Sequence, residues 1–141
     1  MFYTEYKERT GAAGRRQKRR VNTAMTIQQM QEILGARLLT PAADLSQEVH
    51  TACGSDMMSD VLAYVKDQAV LLTGLNNPQV VRTADMMDMV CIVFVRGKMP
   101  GDEVLGLAES RDIAVLSTDL PMFAACGLLY QHGLRGGEWH G

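Results

Sequence analysis

The chain has 141 residues, 47% hydrophobic and 21% charged, with 14 Lys and Arg against 16 Asp and Glu. That length suits one domain with its own core and is short for two. The longest apolar stretches, Met89 to Val95 and Leu120 to Tyr130, fall short of the roughly 20 residues that span a bilayer, which argues against a membrane helix.

The net charge of −2 averages two unlike segments. Met1 to Asn22 carries seven cations, including the run RRQKRR, against two anions, a net of +5; the remainder holds seven cations and 14 anions, a net of −7. Residues 1–24 therefore read as a basic, disordered leader. It is a nucleic-acid arm, a solvated tail, or a segment preceding a start at Met25. An acidic domain without aromatics interleaved among cations disfavours nucleic acid as the partner. No apolar stretch follows the cations, so a secretory signal is not expected.

In chain order, Thr26 with Gln29 resembles a capping box, Ile27, Met30, Ile33 and Leu34 form a helical stripe, and Gly35 is a stop signal. Arg37 to Leu39 is a short strand and Val49 to Cys53 a weaker one. Ser55 or Asp56 is expected to cap a helix carrying Met57, Val61, Leu62 and Val65. Ala69 to Leu72 is a strand, Asn77 and Pro78 open a helix through Met87, and Val90 to Val95 reads as a strand buried on both faces. Pro100 opens the next helix, Ile113 to Leu116 is another buried strand, and Pro121 opens a last helix stopped by Gly133. Strands alternating with helices across short joints imply parallel pairing and right-handed crossovers. The reading is one layered α/β domain over 25–134, with a mostly parallel sheet, followed by a flexible tail at 135–141.

In such a sheet ligands gather beyond the carboxyl ends of the strands. Those ends offer Ser55 and Asp56, Thr73 and Gly74, Arg96 and Gly97, and Ser117 and Thr118. Hydroxyls, glycine amides and cations beside helix starts suit a phosphate, although the same letters serve ordinary caps and turns. Arg96 ends an apolar strand and is steered to that edge, to meet a ligand or to pair with Asp119. Arg82 and Asp85 share a helix face, as an ion pair or a contact surface. Of the adjacent methionines Met57 and Met58, only one can face the core, because neighbouring helical residues diverge by about 100°. With Arg82 and Met86 they make a candidate homodimer interface.

Catalytic signatures fail on inspection. Gly97-Lys98 is followed by Met99 and has no preceding glycine at P-loop spacing, and GxSxG, HExxH and GxGxxG are missing. His50, His132 and His140 are scattered. Cys53, Cys91 and Cys126, with no CxxC, read as reduced thiols of a cytoplasmic protein. No metal site, cofactor or catalytic residue is expected.

The blocks MTIQQMQEILGARLL, SDMMSDVLAYV, LLTGLNNPQVVRTADMMD, IVFVRGKMP and VLSTDLPMFAACGLLY resemble, in order and spacing, stand-alone DRTGG-domain proteins over most of residues 25–134. The resemblance implies an α/β domain that occurs alone, within phosphotransacetylases and between the CBS domains of some pyrophosphatases, and is related to the N-terminal domain of HPr kinase/phosphorylase. There it accompanies a catalytic unit without carrying the catalysis, in regulation, dimerisation or ligand sensing. The five-residue string that names the family is missing here; its nearest counterparts are Thr73-Gly74 and Arg82-Thr83. The expectation is a non-catalytic regulatory domain, homodimeric, binding a nucleotide or phosphorylated metabolite. The alternatives are a pure interaction module docking on a metabolic enzyme and, third, a phosphoryl-transfer enzyme using Asp56, Asp60 and Arg96.

Overall fold

The computed structural model describes residues 24–137. The basic leader Met1 to Asn22, and Trp139 and His140, lie outside the described residues.

A parallel sheet forms the centre. Strands β4 (Thr51–Gly54), β5 (Ala69–Thr73), β6 (Cys91–Phe94) and β7 (Ala114–Ser117) follow one another side by side. Their register pairs Gly54 with Leu72, Thr73 with Phe94, and Phe94 with Ser117, so all four carboxyl ends finish level. Two short strands complete the six-stranded sheet: β2 (Arg37–Leu38) pairs antiparallel with β7, and β8 (Arg135–Gly136) pairs parallel with β4. A separate antiparallel pair joins β1 (Met25–Thr26) to β3 (Glu48–Val49).

The strand side chains alternate between two cores. Val70, Leu72, Cys91, Val93 and Leu116 meet Ile27, Met30 and Leu34 of α1 (Ile27–Leu34) and Ala125 and Leu129 of α5 (Met122–Gln131). Leu71, Ile92, Phe94 and Val115 face the other way, against α2 (Met58–Val61), α3 (Pro78–Met86) and α4 (Asp102–Ser110). Burial on both faces explains the almost unbroken apolar run in β6. This is the α/β layered architecture expected, with helices on both sides of a mostly parallel sheet.

The local signals hold where they are short-range. Gln29 N donates to Thr26 Oγ1 at 3.1 Å and Thr26 N to Gln29 Oε1 at 2.8 Å, and Gly35 closes α1 at φ 58°. Asn77 Oδ1 accepts from Gln79 N at 2.9 Å, with Pro78 in the first turn.

Three expectations need correction. The run Val49 to Cys53 breaks at His50, giving β3 and β4 in different sheets. The helix expected from Ser55 through Val65 is the single turn α2, and neither Ser55 nor Asp56 caps it; Met57 occupies that position without a side-chain hydrogen bond. Ser55 Oγ instead accepts from Met57 N at 2.9 Å, and the Asp56 carboxylate is drawn to β5. Finally, the stretch expected as tail begins with ordered structure: behind the buried Leu134, Arg135 and Gly136 form β8 on the edge of β4.

Candidate functional site

The level carboxyl ends of β4, β5 and β6 bring Asp56, Thr73, Gly74 and Arg96 together. Thr73 Oγ1 donates to Asp56 Oδ1 at 2.9 Å and Gly74 N donates to the same oxygen at 2.7 Å. Thr73 is fully buried, and its oxygen also accepts from Leu75 N at 3.1 Å, turning the chain away from β5 towards α3. The Arg96 guanidinium rests against Gly74. A Cβ on residue 74 would lie 2.5 Å from Nη2 and 3.0 Å from Cζ, so glycine there leaves the space the arginine occupies.

Arg96 holds a left-handed backbone, φ 59°, followed by Gly97 at φ 71°. For a residue with a Cβ this region costs roughly 1–2 kcal/mol. Loop hydrogen bonds maintain it: Arg96 N donates to Leu120 O and Gly97 N to Thr118 O, both at 2.8 Å. Arg96 does not pair with Asp119, which meets Arg37 at 3.4 Å. Among the described residues no carboxylate forms an ion pair with Arg96.

The electrostatics follow from this geometry. The Gly74 amide holds the Asp56 carboxyl below its ordinary value, aided by the Thr73 hydroxyl and the Arg96 charge and opposed by desolvation. Burial pushes the Cys53 thiol up to about 11, and also raises those of Cys91 and Cys126. None is therefore an activated nucleophile.

Other anticipated residues are employed differently. Ser117 and Thr118 are buried and give their hydroxyl protons to Lys98 O and Leu34 O, each at 2.8 Å. These bonds brace the β7 loop. Ser55 turns inward on its own loop through Met57. Gly97 flanks the site, and a Cβ there would meet Asp119 Oδ1 at 3.3 Å.

On the outer surface Met57 and Met86 are 58% and 57% exposed, whereas Met58 is half-buried against the α2–α3–α4 core. The two do part, although not by the helical divergence expected: Met57 precedes α2 in extended backbone. Arg82 is exposed, and its expected partner Asp85 pairs with Arg111 at the end of α4. Among the described residues no group of three His, Cys, Asp or Glu is arranged to hold a metal. No helix among them is long and apolar enough to cross a membrane.

Sequence reasoning missed Arg37, which enters the carboxyl-end rim because β2 runs antiparallel and starts opposite Ser117. It also missed a groove of about 280 Å3 at the opposite end of the sheet, whose lining includes Asp44, Glu109 and Asp112. Those carboxylates make that groove acidic.

The profile of the DRTGG domain matches residues 15–131. The chain belongs to the DRTGG-domain family. No curated protein matches it significantly. Among solved structures it resembles the CBS and DRTGG domains of the regulatory region of Clostridium perfringens pyrophosphatase, complexed with its activator diadenosine tetraphosphate. The TM-score is 0.63 at 14% identity, covering 81% of this chain and 50% of that one. At that identity the likeness establishes the shared DRTGG fold, and this chain spans about half the length of its neighbour.

Proposed function

We propose that this DRTGG domain is a non-catalytic regulatory unit of the cytoplasm that senses a nucleotide or phosphorylated metabolite at the carboxyl ends of β4, β5 and β6. One observation carries the reading. Arg96 is held in a costly left-handed backbone, without an ion-pair partner among the described residues, with its guanidinium laid against Gly74 beside the Thr73 hydroxyl. Backbone strain of this kind gathers at functional sites. An exposed guanidinium beside a backbone amide and a hydroxyl offers the donors a phosphate takes. The diadenosine tetraphosphate bound to the pyrophosphatase region is consistent with ligands of this chemical class.

The test is differential scanning fluorimetry with ATP, ADP and sugar phosphates. A ligand at 100 times its Kd adds about 2.7 kcal/mol, enough to raise Tm by several degrees. The expected result is such a shift for at least one phosphorylated compound, abolished in Arg96→Ala. No shift with any of them overturns the reading.

A second reading, association through the outer surface, has its own support. Met57, just before α2, and Met86, at the end of α3, are large exposed apolar side chains, and Leu62 and Val65 are also exposed. Methionines adapt readily to a partner surface. The partner is a second copy of this chain, making a homodimer, or a metabolic enzyme that the domain regulates.

A further inference from the structure

The donor cluster at the carboxyl ends is already filled by the protein itself. Asp56 Oδ1 receives both the Thr73 hydroxyl at 2.9 Å and the Gly74 amide at 2.7 Å, and the Arg96 guanidinium lies against the same glycine. A hydroxyl, a backbone amide and a guanidinium converging on one place form the donor set for a phosphate oxygen. Here a carboxylate oxygen takes two of the three.

We propose that Asp56 is a built-in stand-in for a phosphate group: it closes the Thr73–Gly74–Arg96 cradle in the free protein, and a terminal phosphate of the ligand displaces it. This rests on the ligand-binding reading given above and adds to it the identity of the group bound and the gate that controls access.

Three observations support displacement over a permanent brace. Asp56 is exposed, so its carboxylate regains water when it leaves. It sits on the loop before α2, a single turn that ends in exposed Leu62 and that no side chain caps. Its partners are fixed by contrast: Thr73 and Gly74 belong to the end of the buried β5, and the Arg96 backbone is tied to Leu120. The Asp56 backbone is held as well, through Ser55 N donating to Leu72 O at 3.0 Å and through buried Val61 of α2, so the part free to swing away is the Asp56 side chain alone, against donors that stay fixed.

A structural brace and a displaceable stand-in predict opposite signs. Isothermal titration calorimetry with ATP, and separately with inorganic tripolyphosphate, compares wild type with Asp56→Ala, Asp56→Asn and Asp60→Asn. Asp60→Asn changes charge equally a turn away and controls for the general field. Asp56→Ala is expected to bind about tenfold more tightly. Asp56→Asn, which retains an acceptor for both donors, carries the test if the alanine variant unfolds, and is expected to bind more tightly by a smaller factor. Asp60→Asn is expected within about twofold of wild type, because an exposed charge is screened over that distance. Adding Arg96→Ala to Asp56→Ala is expected to abolish binding. Tripolyphosphate binding as well as ATP identifies the phosphate chain as the recognised group. If wild type binds and the Asp56 variants bind equally or more weakly, displacement is overturned while ligand binding stands. If neither wild type nor any Asp56 variant binds either probe at millimolar concentration, the ligand-binding reading itself is overturned.

Discussion

The Arg96 guanidinium occupies the space that a side chain on Gly74 would fill, with Nη2 2.5 Å from the ideal Cβ position. Gly74→Ala is therefore expected to push the guanidinium aside. Because the obstructing atoms are the far end of a flexible side chain, the fold itself should lose less than about 1 kcal/mol. Urea denaturation should find stability near wild type while the ATP-induced Tm shift falls sharply. An undiminished shift would show that the guanidinium position is immaterial to binding.

Arg96 sets backbone strain against recognition. At φ 59°, Arg96→Gly removes a Cβ penalty of roughly 1–2 kcal/mol and adds unfolded-chain entropy of roughly 0.5–1 kcal/mol. The net expectation is a neutral or slightly more stable protein, by up to about 1 kcal/mol, that no longer responds to ATP. Arg96→Ala should lose the response without the gain in stability. An Arg96→Gly variant less stable than Arg96→Ala in equilibrium unfolding would refute the strain argument.

Asp56 also gives the fold an acid-side dependence. Its carboxyl is depressed in the folded state, chiefly by the Gly74 amide, so the stabilisation is complete above the unfolded value near about 3.9 and is lost as pH falls through the lower folded value. Urea midpoints measured from pH 6 down to pH 2.5 should decline, and the decline should be shallower in Asp56→Asn. Parallel curves for the two proteins would exclude the contribution.

Leu134→Ala tests whether the end of the domain is integral. Leu134 is 1% exposed and packs in the same core as α1 and α5, so truncation should cost about 2–5 kcal/mol. A surface-like loss, under about 0.5 kcal/mol, would mean that β8 is not part of the cooperative fold.

Met57→Glu and Met86→Glu act on the outer face, where solvent already reaches both side chains. Thermal stability of the isolated subunit should stay within about 0.5 kcal/mol. Sedimentation velocity is expected to find wild type dimeric and the double variant monomeric. A wild type that is monomeric at all concentrations would leave the outer face to a different protein.

What the sequence made legible follows the range of each interaction. The Thr26–Gln29 box and the Asn77–Pro78 start bind residues within one turn, so their letters suffice. β5, β6 and β7 announce themselves because burial on both faces demands apolar runs. The carboxyl ends were legible as a place, since strand direction alone predicts where loops gather. The assignments within that place were not. A threonine reads the same whether it caps locally or reaches across the chain, and the partner of Thr118 lies 84 residues away at Leu34. Asp56 reads as a helix cap, yet it answers to Thr73 and Gly74 on a different strand. β8 has no apolar pattern at all; Arg135 and Gly136 pair because the edge of β4 is open and Leu134 anchors them there.

The hydrogen bonds tying the β6 loop to the β7 loop give the site two unequal jaws. On one side, Arg96 and Gly97 are bolted to Leu120 and Thr118, and Thr118 is bolted in turn to the end of α1. On the other, the Asp56 carboxylate and the Ser55 amide, which donates to Leu72 O at 3.0 Å, latch the segment before α2 to β5. A ligand that displaced the Asp56 carboxylate would therefore be felt first in the segment before α2, where Met57 is exposed, and the braced α1 side would stay still.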